Sequence, residues 1–407
     1  MRYKDFVDLT YPPKEDDVIC NFLVEPLGID LEEAAGGVAA ESSIGTWTEL
    51  TTIRGYVEKL HAAVFSLRGN QVQIAYPTEL FEAGNMPNIL SSVAGNVFGL
   101  RALKNLRLND IHLPPKLLRS FKGPKYGVSG IRKLLKIEGR PLIGTIIKPK
   151  LGLKTQDHAE VAYEAWIGGC DFVKDDENLS SQKFNPFEDR VIKTLESRYR
   201  AEKETGERKA YLANITAETN EMIRRAQFVV DHGGEYVMVD VLTCGFSALQ
   251  TLRDQEFKLI LHGHRGGHAV ITKSPKHGIS MLVLAKLLRT VGIDQLHVGA
   301  VVGKMSETKE EVLENCEALR EKMAEMKPVL PVASGGLHPG LVPSLMEIFG
   351  TDFVIQAGGG IHGHGDGTIS GAKAMRQAVD ATLQKTSLKE YAKTHKELKA
   401  ALETWKP

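Results

Sequence analysis

Neither sign of charge is in surplus in this sequence: 51 basic residues face 51 acidic ones. That balance excludes a broad cationic face for nucleic acid, while leaving room for a local anion site. Cysteine is scarce. Cys20, Cys170, Cys244 and Cys316 share no CxxC spacing, so free thiols in a reducing cytoplasm are expected. The stretch MRYKDFVDLTYPPKEDD has no apolar core of the signal-peptide kind. No run of about 18 apolar residues occurs, so no membrane span is expected. Low-complexity linkers are missing too. Glycine, by contrast, is plentiful, with 39 copies clustered beside short apolar runs, which points to many tight strand-to-loop transitions. At 407 residues and 42% hydrophobic content, the chain can bury a sizeable core in two or three domains.

From about residue 126 a pattern repeats: a short β-prone run, a polar or glycine-rich loop, then a helical stretch. The runs are PLIGTIIK (141–148), DFVK (171–174), AYLANIT (210–216), YVMVDVL (236–242), KLILHGH (258–264), QLHVGAVV (295–302), VLPVASGG (329–336) and FVIQAGGG (353–360). Eight βα units in about 260 residues predict an α/β fold with a (β/α)8 TIM barrel; a doubly wound sheet is the rival. Within TKEEVLENCEALREKMAEM, Val312, Cys316, Leu319 and Met323 recur at helical spacing, and Thr308 with Glu311 forms a capping box. Residues 386–407 read as one amphipathic helix through Leu388, Tyr391, His395, Leu398, Leu402 and Trp405. Residues 1–125 mix strand-like runs (VICNFLVEP, QVQIAYP) with a helix-like one (LEEAAGGVAAESS). The expected division is therefore an N-terminal α+β domain (1–125), a barrel (126–385) and a helical tail (386–407), with a boundary near GPKYG.

Chemistry in such a barrel sits at the C-terminal ends of the strands, and the unusual residues fall there. Strand one ends at Lys148-Pro149-Lys150, strand two at Lys174, Asp176 and Glu177, and strand three near Asn214 and Thr216. Strand five ends in HGHRGGH, strand six carries His297 and leads to Lys304, and strands seven and eight end in Ser334-Gly335-Gly336 and Gly358-Gly359-Gly360. An isolated DDE run is ordinarily a solvated charge run. At a strand end in a barrel mouth, Asp176 and Glu177 suit Mg²⁺, which takes one or two carboxylates plus substrate and water. His262, His264 and His268 invite a zinc reading, but the order of the lysine-acid and HxH segments is reversed from that of paired-histidine hydrolases; His262 also fits a satisfied core histidine. Arg265 suits a bidentate phosphate clamp. GAVVGKM fails as a P-loop, because only three residues separate Gly299 from Gly303 and Met305 replaces Ser or Thr. Lys304 reads better as a cation that closes over substrate. The late glycine runs offer bare N–H groups for a second anion, so a bisphosphate substrate is expected.

These residues carry a family pattern. The motifs AAESSIGTW, AGNVFG, GTIIKPKLGL, GGCDFVKDDEN, HGHRGGH, GAVVGKM and ASGGLHPG resemble the large subunit of ribulose-1,5-bisphosphate carboxylase/oxygenase (RuBisCO), from about residue 25 to the end. The ending EYAKTHKELKAALETW is most similar to archaeal form III enzymes. The resemblance implies a ferredoxin-like N-terminal α+β domain before the barrel and Mg²⁺ as cofactor. It also implies activator CO2 as a carbamate on Lys174, with Asp176 and Glu177 as co-ligands. The carbamate takes the C3 proton of ribulose 1,5-bisphosphate. Lys148 handles protons and Lys150 supports it; His264 lies near the substrate hydroxyls. Arg265 and His297 serve one phosphate, with Ser334 contacting the substrate near it; Thr46, Trp47, Gly336, Gly358 and Gly359 serve the other. Lys304 polarises the incoming CO2 or O2, Glu41 is its partner, and Asn96 lies near metal and substrate. In the family Glu41, Thr46, Trp47 and Asn96 come from the neighbouring subunit. The implied assembly is thus a homodimer with shared sites, or oligomers of dimers, with no small subunit, nucleic acid or membrane partner.

Some positions depart from the family. Gly266-Gly267 replaces Ala-Met, Ala300 follows Gly299 where Thr is usual, and Ser306-Glu307 replaces Glu-Gly after the loop lysine. The short segment before ASGG and the stretch GGGIHGHGDG (358–367) are also similar to RuBisCO-like proteins. The alternative is accordingly an enolase or isomerase of a sugar phosphate, as in methionine salvage, that omits carboxylation.

Overall fold

The computed structural model describes residues 2–303 and 307–405. The chain forms two compact units. One is built from residues up to Lys122 together with Gly267–Val291 and Lys322–Met326; the other from Gly123–Gly266, Gly292–Glu321 and the chain from Lys327 onward.

In the first unit, alternation sets the sheet. Val18, Cys20, Phe22 and Val24 of β1 (Val18–Pro26) are buried while the residues between them are not, as a half-covered strand requires. β1 pairs antiparallel with both β3 (Gln71–Tyr76) and β4 (Leu103–His112), and β2 (Ala63–Arg68) pairs antiparallel with β3. The helix Leu31–Glu41 follows β1, capped by Asp30, whose carboxylate accepts from the Glu33 N–H at 2.7 Å. Its Ala- and Gly-rich sequence lets another segment approach: a Cβ on Gly36 would overlap the Tyr3 carbonyl. With the helix Met86–Val93 before β4, the order β4-β1-β3-β2 is the ferredoxin-like arrangement expected for the N-terminal part. A two-residue strand, β10 (Gly278–Ile279), adds to β4 in parallel. The later helix Met281–Val291 belongs to this unit as well, and Lys286 donates to Asp110 at 2.6 Å.

The second unit is a closed parallel barrel of β5 (Leu142–Ile146), β6 (Phe172–Lys174), β7 (Ala210–Asn214), β8 (Tyr236–Asp240), β9 (Ile260–His264), β11 (Gln295–His297), β12 (Leu330–Ser334) and β13 (Val354–Ala357). Each lies inside one of the eight predicted runs. The strands are near-continuous apolar runs because both faces are covered. At the N-terminal end of the barrel, the helix Gly127–Leu135 inserts Ile131 and Leu135 among Leu142, Phe172, Leu212, Tyr236, Ile260 and Val354. Fully burying each such side chain contributes about 1.5–3 kcal/mol. The capping box at Thr308 and Glu311 is present, opening a helix over Lys309–Arg320 that ends before Met323. The tail departs from the single helix expected. It breaks into Leu388–Tyr391 and Lys396–Thr404, with Tyr391 and His395 stacked at 3.9 Å across the break. The buried Ala392 and Leu398 are reached by these separate short turns.

Candidate active site

Parallel strands deliver their last side chains to one end of the barrel, so short runs far apart in sequence meet there. Lys174 is the last residue of β6 and only 1% exposed. Its Nζ donates to the Asp175 carbonyl at 2.7 Å and lies 3.7 Å from Glu177 Oε2. Burial, only partly countered by the nearby carboxylates, moves its pKa below the ordinary lysine value. Lys148, just beyond β5, donates to Asp176 Oδ2 at 2.9 Å. Burial alone would raise the Asp176 pKa, but the Lys148 ammonium and the Asn178 N–H outweigh it and keep the carboxylate charged. Glu177 Oε2 in turn faces His264 Nε2 at 3.6 Å.

The loop that presents these groups is held from beneath by Asp175, which the sequence showed only as one acid in a run. Asp175 is fully buried. It accepts from Tyr211 Oη (2.8 Å), the Asn214 N–H (2.9 Å) and Arg190 Nε (3.0 Å), with His158 Nε2 3.1 Å away. Burial opposes its charge, yet Arg190 and His158 hold the pKa well below the carboxylate range. The Asn214 side chain donates to the Glu177 and Leu179 carbonyls at 3.0 Å each. Asp240, at the end of β8, was also missed. It lies 3.1 Å from His264 Nδ1, where it can accept an Nδ1 proton, and accepts from the Gly266 N–H at 2.7 Å. An acid closing the run YVMVD was the one available signal.

A second chain of contacts crosses β9, β11 and β12. Gln295 Oε1 takes His262 Nδ1–H at 2.8 Å, the two Nε2 atoms of His262 and His297 are 2.9 Å apart, and His297 Nδ1 meets Ser334 Oγ at 2.7 Å. His262 is therefore a satisfied core histidine, not a metal ligand. Burial and Lys174 bring its pKa down to about 3, and burial with His262 lowers that of His297 well below normal, so both rings are neutral at pH 7. His268 bonds Thr272 Oγ1 at 2.9 Å in the first unit. Arg265 pairs with Glu307, a partner the sequence did not suggest. Gly336 and Gly358 lie in turns after β12 and β13, and a Cβ on Gly358 would come within 3.2 Å of Lys148 Cε. Lys150 is exposed beyond β5, and Gly359 opens the turn Gly359–His362.

Glu41, Thr46, Trp47 and Asn96 all lie in the first unit. Glu41 accepts from Tyr3 Oη at 2.8 Å, Asn96 is exposed, and the Trp47 indole is 80% exposed. Lys304 lies outside the described residues.

A closed parallel barrel with its titratable side chains gathered at the carboxyl ends of the strands defines a (β/α)8-barrel enzyme. The family model described as ribulose bisphosphate carboxylase large chain, catalytic domain, matches residues 127–405, and that of the same chain's N-terminal domain matches residues 5–117. The chain belongs to the ribulose bisphosphate carboxylase large-chain family and is of the archaeal type. It is 50% identical to the ribulose bisphosphate carboxylase of Methanocaldococcus jannaschii, over 99% of this chain and 100% of that one. With the Pyrococcus abyssi enzyme the identity is 51%, over 99% and 96%. Its fold matches the octameric Rubisco of Pyrococcus horikoshii, solved with sulfate ion, with a TM-score of 0.97 at 50% identity over 99% and 97% of the two chains. For the dimeric archaeal Rubisco of Hyperthermus butylicus the TM-score is 0.93, at 46% identity over 99% of each.

Proposed function

We propose that this chain enolises ribulose 1,5-bisphosphate and adds CO2 to the enediolate, giving two 3-phosphoglycerates, with O2 competing at the same carbon. Full-length identity of about half to archaeal carboxylases favours this over an enolase or isomerase that omits the gas. The observation that carries the reading is Lys174: buried, shifted toward the neutral amine, and set beside two carboxylates. Among the described residues no three His, Cys, Asp or Glu side chains group as a metal site. A neutral amine can supply what is missing. Its lone pair attacks CO2, a proton leaves, and a carbamate with two oxygens and one negative charge results. Lys174, Asp176 and Glu177 then offer the all-oxygen donor set that Mg²⁺ takes. When bound, the ion supplies electrostatic stabilisation to negative charge on the substrate oxygens.

The remaining roles belong to the chain's own side chains. Lys148 moves a proton to or from the substrate carbon skeleton, supported by Lys150. The open Nε2 of His264 accepts a hydroxyl proton, with Asp240 holding the ring in that tautomer. Arg265 and His297 bind one phosphate, and Ser334 contacts the substrate near it. The N–H groups of Gly336, Gly358 and Gly359 bind the other, completed by Thr46 and Trp47 of a neighbouring subunit. Glu41 and Asn96 come from that subunit too, and the exposed Trp47 indole supports such a shared site. Lys304 stabilises the carboxylate formed on CO2 addition. The working assembly is a dimer or an oligomer of dimers in the cytoplasm, without a small subunit; among the described residues no helix is long and apolar enough to cross a membrane. The test is fixation of labelled CO2 into acid-stable product with ribulose bisphosphate after Mg²⁺ and bicarbonate activation. Substrate enolisation with no acid-stable label would refute the carboxylase reading.

A further inference from the structure

Arg265 follows directly on β9 and is 6% exposed. A guanidinium cannot be buried unpaired without a large penalty. The partner it has among the described residues is Glu307, whose carboxylate accepts from Nη2, while Nη1 is buried with no hydrogen-bond partner among those residues. Room for this pair is made by Gly299, which has φ +98°; a Cβ there would stand 3.2 Å from both Arg265 Nη2 and Glu307 Cδ. Neighbouring His297 is neutral, because burial and His262 lower its pKa well below normal, so it adds no full charge to this corner.

We propose that Glu307 is an internal competitor for the phosphate-binding guanidinium of Arg265, and so sets how tightly this site takes a phosphate. The inference rests on the reading of Arg265 as a phosphate ligand. A carboxylate and a phosphate approach a guanidinium through the same donor fork. Two anions cannot share that fork in a buried corner without mutual repulsion. Each phosphate that binds must therefore displace Glu307, and only the surplus over the internal ion pair appears as affinity. A substrate with one phosphate pays this displacement from that phosphate alone. A bisphosphate also draws on its second anchor, so the pair favours doubly phosphorylated substrates.

The test compares the full-length protein with Glu307→Gln, titrated with inorganic phosphate by calorimetry. Loss of the internal carboxylate is expected to tighten phosphate binding about tenfold, in line with close charge pairs at protein surfaces and interfaces. The KM for ribulose bisphosphate should fall by less than the phosphate Kd, because the second phosphate already contributes. Adding Arg265→Ala to Glu307→Gln should abolish the gain. Unchanged or weaker phosphate binding in Glu307→Gln, or a gain that survives Arg265→Ala, overturns the proposal. If Glu307→Gln does not fold, Glu307→Asp draws the charge back by one methylene; a partial tightening supports competition and none overturns it. A wild-type protein that fixes no CO2 defeats the carboxylase reading but leaves the phosphate titration decisive. Active carboxylase with unchanged phosphate affinity defeats only the inference.

Discussion

Replacing Asp175 by Asn tests whether the catalytic loop is held by a buried charge. The substitution keeps the shape and removes the charge. Arg190, with a fully buried side chain, then loses its only anionic partner among the described residues, though it keeps the Asn185 and Ser180 carbonyls, at 2.9 and 2.7 Å, and its contact with the Phe187 ring. The new amide also turns a donor toward Tyr211 Oη or the Asn214 N–H, both of which donate to Asp175 now. Breaking one side of a buried pair costs about 3–5 kcal/mol. For a chain of 407 residues that corresponds to a fall in Tm of roughly 4–6 °C. Differential scanning calorimetry reads the stability. Binding of ¹³CO2 to Lys174, followed by NMR with and without Mg²⁺, reads the loop, since Asn214 links Asp175 to the Glu177 and Leu179 carbonyls. A variant that melts within about 1 °C of the parent, a bound of about 1 kcal/mol, would show that Asp175 does not anchor the fold, and one that forms the carbamate with unchanged Mg²⁺ affinity would show that it does not position the loop.

Four further outcomes follow from the same geometry. Lys174→Met should abolish both carboxylation and its dependence on Mg²⁺ preincubation; activity that survives with Mg²⁺ dependence intact removes the carbamate assignment. Asp240→Asn should lower kcat about 10- to 100-fold, as expected when a partner that orients a catalytic histidine is lost, with little change in KM; the kcat-against-KM split is the measurement. Asp171, bonded through both oxygens to Arg140 at 2.7 Å, has its pKa lowered in the fold: burial opposes the charge, but Arg140 outweighs it. Its stabilisation is thus complete above the unfolded value of about 3.9 and is lost as pH falls from there toward the folded value. Urea midpoints between pH 6 and pH 3 should show a steeper acid limb for the parent than for Asp171→Asn, and parallel limbs would contradict this. Gly360→Ala should destabilise the protein by at least about 1–3 kcal/mol, because the added Cβ overlaps the Leu337 carbonyl and lies 2.7 Å from His338 Cα; the urea midpoint checks it.

Much of the barrel was legible because its information is local. A parallel strand covered on both faces must be a short apolar run, and the run must end where polar backbone meets solvent. The eight runs from PLIGTIIK to FVIQAGGG mark all eight strands, and Lys148, Lys174, Asp176, His264 and Ser334 fall at their ends. The capping box at Thr308 is equally local, since its two bonds close within three residues. The tail misled for the opposite reason. Apolar residues at helical spacing continue from Leu388 to Trp405, yet spacing alone does not register the break that stacks Tyr391 on His395.

By itself, the sequence determined the α/β class, the strand count and which residue types stand at the strand ends, since each depends on neighbours within a few positions. Only the tertiary structure decided the partners. Asp175 and Asp176 are adjacent and chemically identical. One points beneath the loop to Arg190 and Tyr211 and the other toward Lys148, because successive residues leaving a strand face opposite ways. The pairing of Arg265 with Glu307 joins residues 42 apart in sequence, and the helix Met281–Val291 belongs with the first unit although it follows a barrel strand in the chain. Charge, proton location and phosphate affinity all follow from such distant meetings. A one-dimensional pattern does not contain the distances between charges on which those quantities depend.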